Sequence, residues 1–285
     1  MMNKVIRQAV AFWTFRILSF VVICLLFGIL GFLIVKGGSV LSLDFIFDMP
    51  SEGMTKGGIW PAIVGTLCLI AGSMIFAFPI GVMSGIYINE FVRDGFFKRF
   101  VSLMTSNLAG VPSIVFGLFG MALFVNKLGF GDSILAGSLT LGLMVLPVII
   151  RTTEEALKTV DDSFRHASYA LGASKLQTIA KVVLPISFPN IITGMILSIG
   201  RVSGETAPIL FTVAAYFLPK LPSSISDQVM ALPYHLYVIS TSGTNIEESR
   251  PMAYGTALVL ILIVLILNLT ANFIRRSLGK KYKVN

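Results

Sequence analysis

Six long apolar runs, separated by polar stretches, dominate the pattern of this chain. Their approximate limits are 17–35, 59–88, 100–125, 133–150, 186–217 and 252–274. Each run holds about 20 residues or more, the length of helix that crosses roughly 30 Å of hydrocarbon. The second, third and fifth runs are longer than a perpendicular crossing requires, which predicts tilts or kinks. The pattern therefore predicts six transmembrane helices around one interior, in a single domain spanning residues 1–285.

Composition and charge agree with a membrane protein. Hydrophobic residues make up 55% of the chain and charged residues only 13%, with a mean hydropathy of +0.87. If the N-terminus is cytoplasmic, that side receives 16 of the 22 Lys and Arg, the other side receives five, and Arg201 lies within the fifth run. Because positive loops stay in the cytoplasm, we expect a multi-pass cell-membrane protein with both termini inside. The net charge of +8 then reflects topology and contact with membrane lipid, and no nucleic-acid partner is expected.

A polar, helix-prone stretch at 151–185 separates the fourth and fifth runs. A short Gly-Ala-Ser break at 172–174 predicts two short helices that meet at a bend. The charge distribution places this stretch at the cytoplasmic surface of the membrane. A polar helical segment held there between two spans indicates a surface that another protein binds.

Catalytic and nucleotide-binding motifs are absent from the sequence. There is no GxxxxGK[ST] phosphate loop, no HExxH and no GxSxG. His166 and His235 fall on opposite sides of the predicted membrane, and Cys24 and Cys68 lie in apolar runs without metal-ligand spacing. We therefore expect no catalytic residue, no metal and no bound cofactor in this chain. If ATP drives it, another chain must bind the nucleotide.

The polar stretch resembles the E-A-A-x-x-x-G-x9-I-x-L-P loop of ABC importer permeases, through Ala167, Gly172 and V-x-L-P at 182–185. His166 stands where the family has Glu and Ser168 where it has the second Ala, so no ion pair of that Glu is carried over. The resemblance implies the type I ABC importer permease fold, an all-α membrane protein with six transmembrane helices. It also implies a cytoplasmic coupling helix that inserts into a separate ATPase. The residues assigned to this contact are His166, Ala167, Leu171, Gly172, Ala173 and Leu176.

Further motifs resemble the phosphate importer permeases, and the resemblance covers about 58–275. It favours the A-type (PstA-type) subunit over the C-type. It implies four partners: a second, PstC-like permease, a cytoplasmic ABC ATPase dimer that binds ATP and Mg²⁺, an extracytoplasmic phosphate-binding protein, and membrane lipid. The motifs are GIWPAIVGT at 58–66, LAGVPSIVFGLFG at 108–120, GETAP at 204–208, LPYHLY at 232–237 and YGTAL at 254–258.

Arg201 and Glu205 are the candidate residues of the substrate path. They are four residues apart in an apolar run and therefore share one helical face. Arg offers two parallel donors to an oxyanion. A carboxylate can accept a hydrogen bond from phosphate, which keeps a proton near neutral pH, but not from fully ionised sulfate. The alternative is an ion pair that only fixes packing. Pro208 predicts a kink in the same span.

Several features have more than one interpretation. Polar residues of the third run either line a path or hydrogen-bond across helices; they are Ser102, Ser106, Asn107 and Ser113. Glu90, at the cytoplasmic end of the second run, is interpreted as a solvated end charge. The exterior segment at 218–250 either docks a binding protein or lies in the interface, anchored by its tyrosines. For the whole chain, the alternatives to phosphate import are import of another oxyanion, such as molybdate or sulfate, and a non-transporting membrane enzyme or scaffold.

Overall fold

A bundle of long helices forms the structure, a computed structural model that describes residues 4–242 and 246–281. Five helices are long and apolar enough to cross a membrane, and a bent pair gives a sixth crossing if it is one span. The predicted all-α class is confirmed. The helices are α1 (Lys4–Gly37), α2 (Leu43–Phe47), α3 (Trp60–Ile86), α4 (Phe96–Ala109), α5 (Ser113–Gly120), α6 (Ile134–Lys158), α7 (Asp162–Ala170), α8 (Lys175–Thr178), α9 (Leu184–Gly204), α10 (Ala207–Leu210), α11 (Leu232–Thr241) and α12 (Ile246–Lys281). Two short antiparallel strands, β1 (Pro50–Ser51) and β2 (Lys56–Gly57), flank a 3₁₀ turn at Glu52–Met54.

The centre of the bundle is the long contact between α3 and α6, where small residues let the two helices approach closely. A side-chain carbon added at Gly81 would lie 2.6 Å from Ile149, and one added at Gly85 would lie 2.7 Å from Thr153. Met144 and Ile149 of α6 are completely buried. The tight contact holds α6, and with it the polar residues of its last turns, in a fixed position.

The third apolar run is not a straight helix. Its two halves, Phe96–Ala109 and Ser113–Lys127, are bent by 96° at a break of three residues. Pro112 has an extended backbone with φ −56° and ψ 139°, and proline also disfavours the helical conformation in the residue before it. A sharp break therefore replaces the tilt or kink that length alone predicts.

The fifth run also differs from the predicted continuous span over 186–217. Helix α9 ends at Gly204, and Glu205 follows with an extended backbone at φ −79° and ψ 129°. Pro208 is not the site of a kink inside a helix, because it occupies the first turn of the separate helix α10, where proline costs no hydrogen bond. The prediction of a kink at Pro208 was therefore wrong by a few residues. The break lies beside Glu205 instead.

Three π turns extend or join the long helices. Tyr87–Phe91 continues α3, Met121–Lys127 continues α5, and Ile179–Val183 joins α8 to α9. Helix α8 is consequently the first turn of one continuous helical rod, Lys175–Gly204. The second short helix of the predicted surface segment and the predicted substrate-path helix are thus parts of one continuous helix.

The bundle has two chemically different ends. We call the end that carries 92–99 and 151–185 the basic end, and the end that carries 38–58 and 218–231 the far end. At the far end, α11 packs against α12 and α3, and the Leu232 amide donates to Thr66 Oγ1 at 2.8 Å. His235 of α11 is buried, and this burial lowers its pKa to about 4. The imidazole is therefore neutral near pH 7 and adds no charge to the far end.

Candidate functional sites

A two-helix surface at the basic end is built by local capping. Asp161 caps α7 by accepting from the Ser163 amide at 2.8 Å. Hydrogen bonds from the side chain and the backbone of Ser163 lower the pKa of the Asp161 carboxyl. Gly172 then turns the chain with φ +81°, a conformation that suits glycine. Ser174 and Gln177 form a capping box that starts α8. The predicted pair of short helices meeting at a bend is confirmed.

The residues assigned to ATPase contact form an exposed ridge on this surface. Leu171 is 89% exposed and Leu176 is 68% exposed, so both present apolar side chains on an otherwise polar surface segment. His166, Ala167 and Gly172 are also exposed, and Ala173 is half-buried beside them. The structure thus places all six residues together. Their contact with an ATPase stays a prediction.

Arg165 of α7 anchors this surface to the end of the second span. Its Nη2 atom lies 2.8 Å from Glu90 Oε1, and its guanidinium also donates to the carbonyls of Val160 and Leu157 at 2.7 and 3.1 Å. The Arg165 side chain is 13% exposed and that of Glu90 only 6%. Burial alone lowers the pKa of Arg165, but the hydrogen bond and charge of Glu90 outweigh it and the pKa is raised. Glu90 is therefore not a solvated end charge, and that interpretation was wrong.

Two further contacts tie the surface together. The Lys175 ammonium lies 4.8 Å from the centre of the Phe91 ring, next to Glu90 in the chain. Ser168 Oγ and Thr178 Oγ1 are 2.9 Å apart and link α7 to the turn after the bend. The Arg165–Glu90 pair and these contacts join α7, α8 and the end of α3 into one unit, so a force on the exposed ridge reaches two of the long helices.

The Arg201–Glu205 pair lies near the other end of the same rod. Arg201 Nε is 3.5 Å from Glu205 Oε1, although Glu205 lies just past the end of the helix and does not share a helical face with Arg201, and the side chains are 32% and 18% exposed. Sixteen residues of helix separate Arg201 from Pro185, or about 24 Å of rise, so the pair lies inside the bundle, away from the basic end. Within the described residues, no other side chain hydrogen-bonds the Arg201 guanidinium. The assignment of this pair to the substrate path stays a prediction.

The polar residues of α4 take part in contacts between helices. Arg151 of α6 donates from Nη2 to Ser106 Oγ, and Ser106 Oγ donates to the Ser102 carbonyl at 2.8 Å. Both serines also line an open groove at the basic end. The interpretation of a hydrogen bond across helices is therefore confirmed for Ser106, and the lining of a path stays a prediction. Sequence reasoning did not single out Arg151, because nothing in the chain pairs it with a residue 45 positions away.

The family comparison agrees with this architecture. Residues 77–284 match the family described as "Binding-protein-dependent transport system inner membrane component". This chain belongs to that family. The permease is 33% identical over its whole length, and over the whole of the relative, to the "Probable ABC transporter permease protein YqgI" of Bacillus subtilis. It is also 43% identical to the "Phosphate transport system permease protein PstA" of Mycobacterium leprae, across 78% of this chain and 71% of the relative. The predicted PstA-type relationship is confirmed.

Solved structures support the fold. The permease superposes with a TM-score of 0.69 on a chain of a bacterial ABC transporter involved in the import of the acidic polysaccharide alginate, at 14% identity, covering 96% of this chain and 98% of the other. It superposes with a TM-score of 0.60 on a chain of the inward-facing MetNI methionine ABC transporter, at 19% identity, covering 80% and 99%. At these identities the likeness shows the fold of an ABC permease in a multi-pass membrane protein.

Proposed function

We propose that this permease is the A-type membrane subunit of an ATP-driven importer of inorganic phosphate. The observation that carries the proposal is the 43% identity to a PstA permease over 78% of the chain. The Arg201–Glu205 pair supports it, because an arginine beside a carboxylate suits an oxyanion that keeps a proton. In this arrangement Arg201 binds the phosphate oxygens and Glu205 accepts the hydrogen bond from its hydroxyl.

The importer needs partners that this chain does not supply. We infer a second, PstC-like permease that completes the path, an ATPase dimer that binds ATP and Mg²⁺, and a phosphate-binding protein outside the membrane. The excess of Lys and Arg at the basic end supports a cytoplasmic location for this end and for both termini. When ATP binds, the ATPase dimer closes and pulls the exposed ridge. This movement shifts the population of the permease toward the conformation whose path is open to the outside.

The substrate is tested by uptake of labelled phosphate in cells that lack this subunit or carry it. We expect uptake to require the subunit and to resist a hundredfold excess of sulfate or molybdate. Uptake that is abolished by an equal amount of either competitor would support the alternative of a permease for another oxyanion. No uptake of any anion would support a non-transporting role.

Coupling to the ATPase is tested by co-purification of the intact complex. Leu171→Asp places a charge at the tip of the exposed ridge, and we expect the ATPase to be lost from the purified permease. Lys56→Ala is the matched surface control, because Lys56 lies at the far end in an exposed pair with Glu52. If equal amounts of ATPase are recovered with both variants, the ridge is not part of the interface between the permease and the ATPase.

A further inference from the structure

A second cationic site lies at the basic end of the bundle, in a groove of about 590 Å³ between α4 and α6. Cations outnumber carboxylates in its lining by four to two. The groove therefore concentrates positive potential and favours an anion. The cationic residues are Lys98, Arg99, Arg151 and Lys158, and the carboxylates are Asp94 and Glu154.

The wall of the groove is fixed by Arg151, which is half-buried and donates to Ser106 Oγ. Ser102, four residues earlier on α4, lies on the same helical face as Ser106 and also lines the groove. A guanidinium has five N–H donors in a rigid fork. The bond to Ser106 therefore orients the group and uses only one of these donors. The remaining donors can serve a ligand in the groove.

Glu154 contributes a feature that a merely solvated groove would lack. It is one turn beyond Arg151 on α6, lines the same groove and is only 4% exposed. Among the described residues, none hydrogen-bonds its Oε1 atom. A buried carboxylate oxygen without a donor is costly, so a ligand that brings a proton donor to this position is stabilised.

We propose that this groove binds a phosphoryl anion that carries its own proton, held by Arg151 and Ser102 and oriented by Glu154. Inorganic phosphate has the required chemistry, because near neutral pH it keeps at least one proton while its other oxygens accept charge-assisted hydrogen bonds. A phospholipid headgroup shares the phosphoryl chemistry. Its phosphodiester, however, has no proton to donate to Glu154, so free phosphate is the ligand expected.

The groove site extends the proposed function and rests on it. Arg151 follows the start of α6 by 17 residues, and Gly194 of α9 packs against its neighbour Thr152, so Arg201 lies about 10 Å closer to the far end than Arg151. The two arginines are therefore separated along the bundle axis. They form two successive phosphate-binding sites. A phosphate released at Arg201 is bound again at Arg151 before it leaves the basic end.

The test is equilibrium binding of labelled inorganic phosphate to the complete transporter in phosphatidylcholine nanodiscs, without the external binding protein. We expect two phosphate sites in the wild type, of which Arg151→Gln weakens one 10- to 100-fold and Ser102→Ala weakens the same one several-fold. Glu154→Gln, which adds an amide donor, should weaken phosphate binding and strengthen sulfate binding. Arg276→Gln is the matched control, because Arg276 is an exposed arginine of the basic end outside the groove, and it should bind phosphate normally.

The outcomes separate the groove from the proposed function. Phosphate uptake is measured with the same complex in proteoliposomes that contain the binding protein. Absent uptake in the wild type counts against the proposed function. Normal wild-type uptake, with phosphate binding that Arg201→Gln abolishes and Arg151→Gln leaves unchanged, overturns the groove site alone.

A lipid arm distinguishes the two sources of phosphoryl anion. Native mass spectrometry counts phosphatidylglycerol molecules retained by the complex from mixed-lipid nanodiscs. Free phosphate as the ligand predicts equal lipid retention in the wild type and in Arg151→Gln. Lipid retention that falls in Arg151→Gln, with phosphate binding unaffected, assigns the groove to a headgroup and overturns free phosphate as its ligand.

Discussion

Two Arg–Glu pairs at different heights of the bundle differ in almost every physical respect. Arg201 and Glu205 are four residues apart at the end of one rod, are separated by 3.5 Å and are partly exposed. Arg165 and Glu90 come from different elements, are separated by 2.8 Å and are almost fully buried. Two backbone carbonyls further support Arg165, whereas no second side chain supports Arg201 among the described residues.

Because of this difference, the two pairs are suited to different tasks. A loose, partly exposed pair can open at little cost to admit an anion between its members. A buried pair with several hydrogen bonds cannot open without leaving a charge unpaired, so it transmits displacement between the elements it joins. We therefore assign Arg201–Glu205 to the substrate and Arg165–Glu90 to mechanical coupling.

The largest expected effect comes from breaking the buried pair. Arg165→Ala leaves Glu90 charged and unpaired, which typically costs about 3–5 kcal/mol of stability. We expect a lower melting temperature of the purified complex and loss of ATP-driven uptake. The double variant Arg165→Ala with Glu90→Ala should recover part of the stability but not the uptake. If Arg165→Ala melts like the wild type, the pair does not fix the surface.

The next effect comes from removing the charge at the loose pair. Arg201→Gln should lower phosphate uptake 10- to 100-fold, because charge-assisted hydrogen bonds contribute about 1.5–3 kcal/mol. The complex should still assemble with its ATPase and melt normally. Arg201→Lys keeps the charge without the planar fork and should give intermediate uptake. Full uptake in Arg201→Gln would mean that the pair only fixes packing.

A smaller effect is expected at the other member of the loose pair. Glu205→Gln keeps the shape but offers an amide donor, so the preference for phosphate over sulfate should fall about fivefold, as the loss of one ordinary hydrogen bond predicts. Competition between the two labelled anions measures it. An unchanged preference would exclude Glu205 from selectivity.

The smallest effect tests a secondary support of the buried pair. Lys175→Met removes the cation above the Phe91 ring, an interaction of about 0.5–1 kcal/mol. We expect a two- to fivefold loss in the ATP-driven uptake rate, and Lys175→Arg should restore it. A loss as large as that of Arg165→Ala would show that the ring contact, and not the ion pair, anchors the surface.

The sequence predicted local features better than distant ones, for a physical reason. The Arg201–Glu205 contact and the bend at Gly172 each involve residues within a few positions of one another. The Arg165–Glu90 pair joins positions 75 residues apart, so it depends on how α7 docks beneath α3. Pro208 indicated a break in this span, but not that α9 ends at Gly204. Apolarity of the stretch to 217 gave no sign that the backbone becomes extended at Glu205.

The continuity of the rod Lys175–Gly204 gives this permease a lever. From Thr178 to Arg201 the helical rise is about 35 Å, so a tilt of about 10° at the surface would move Arg201 sideways by about 6 Å. That distance is larger than the gap between Arg201 and Glu205. A small rotation imposed by a partner on α8 is therefore sufficient to reposition the arginine that we assign to the substrate, with no relay of intermediate side chains.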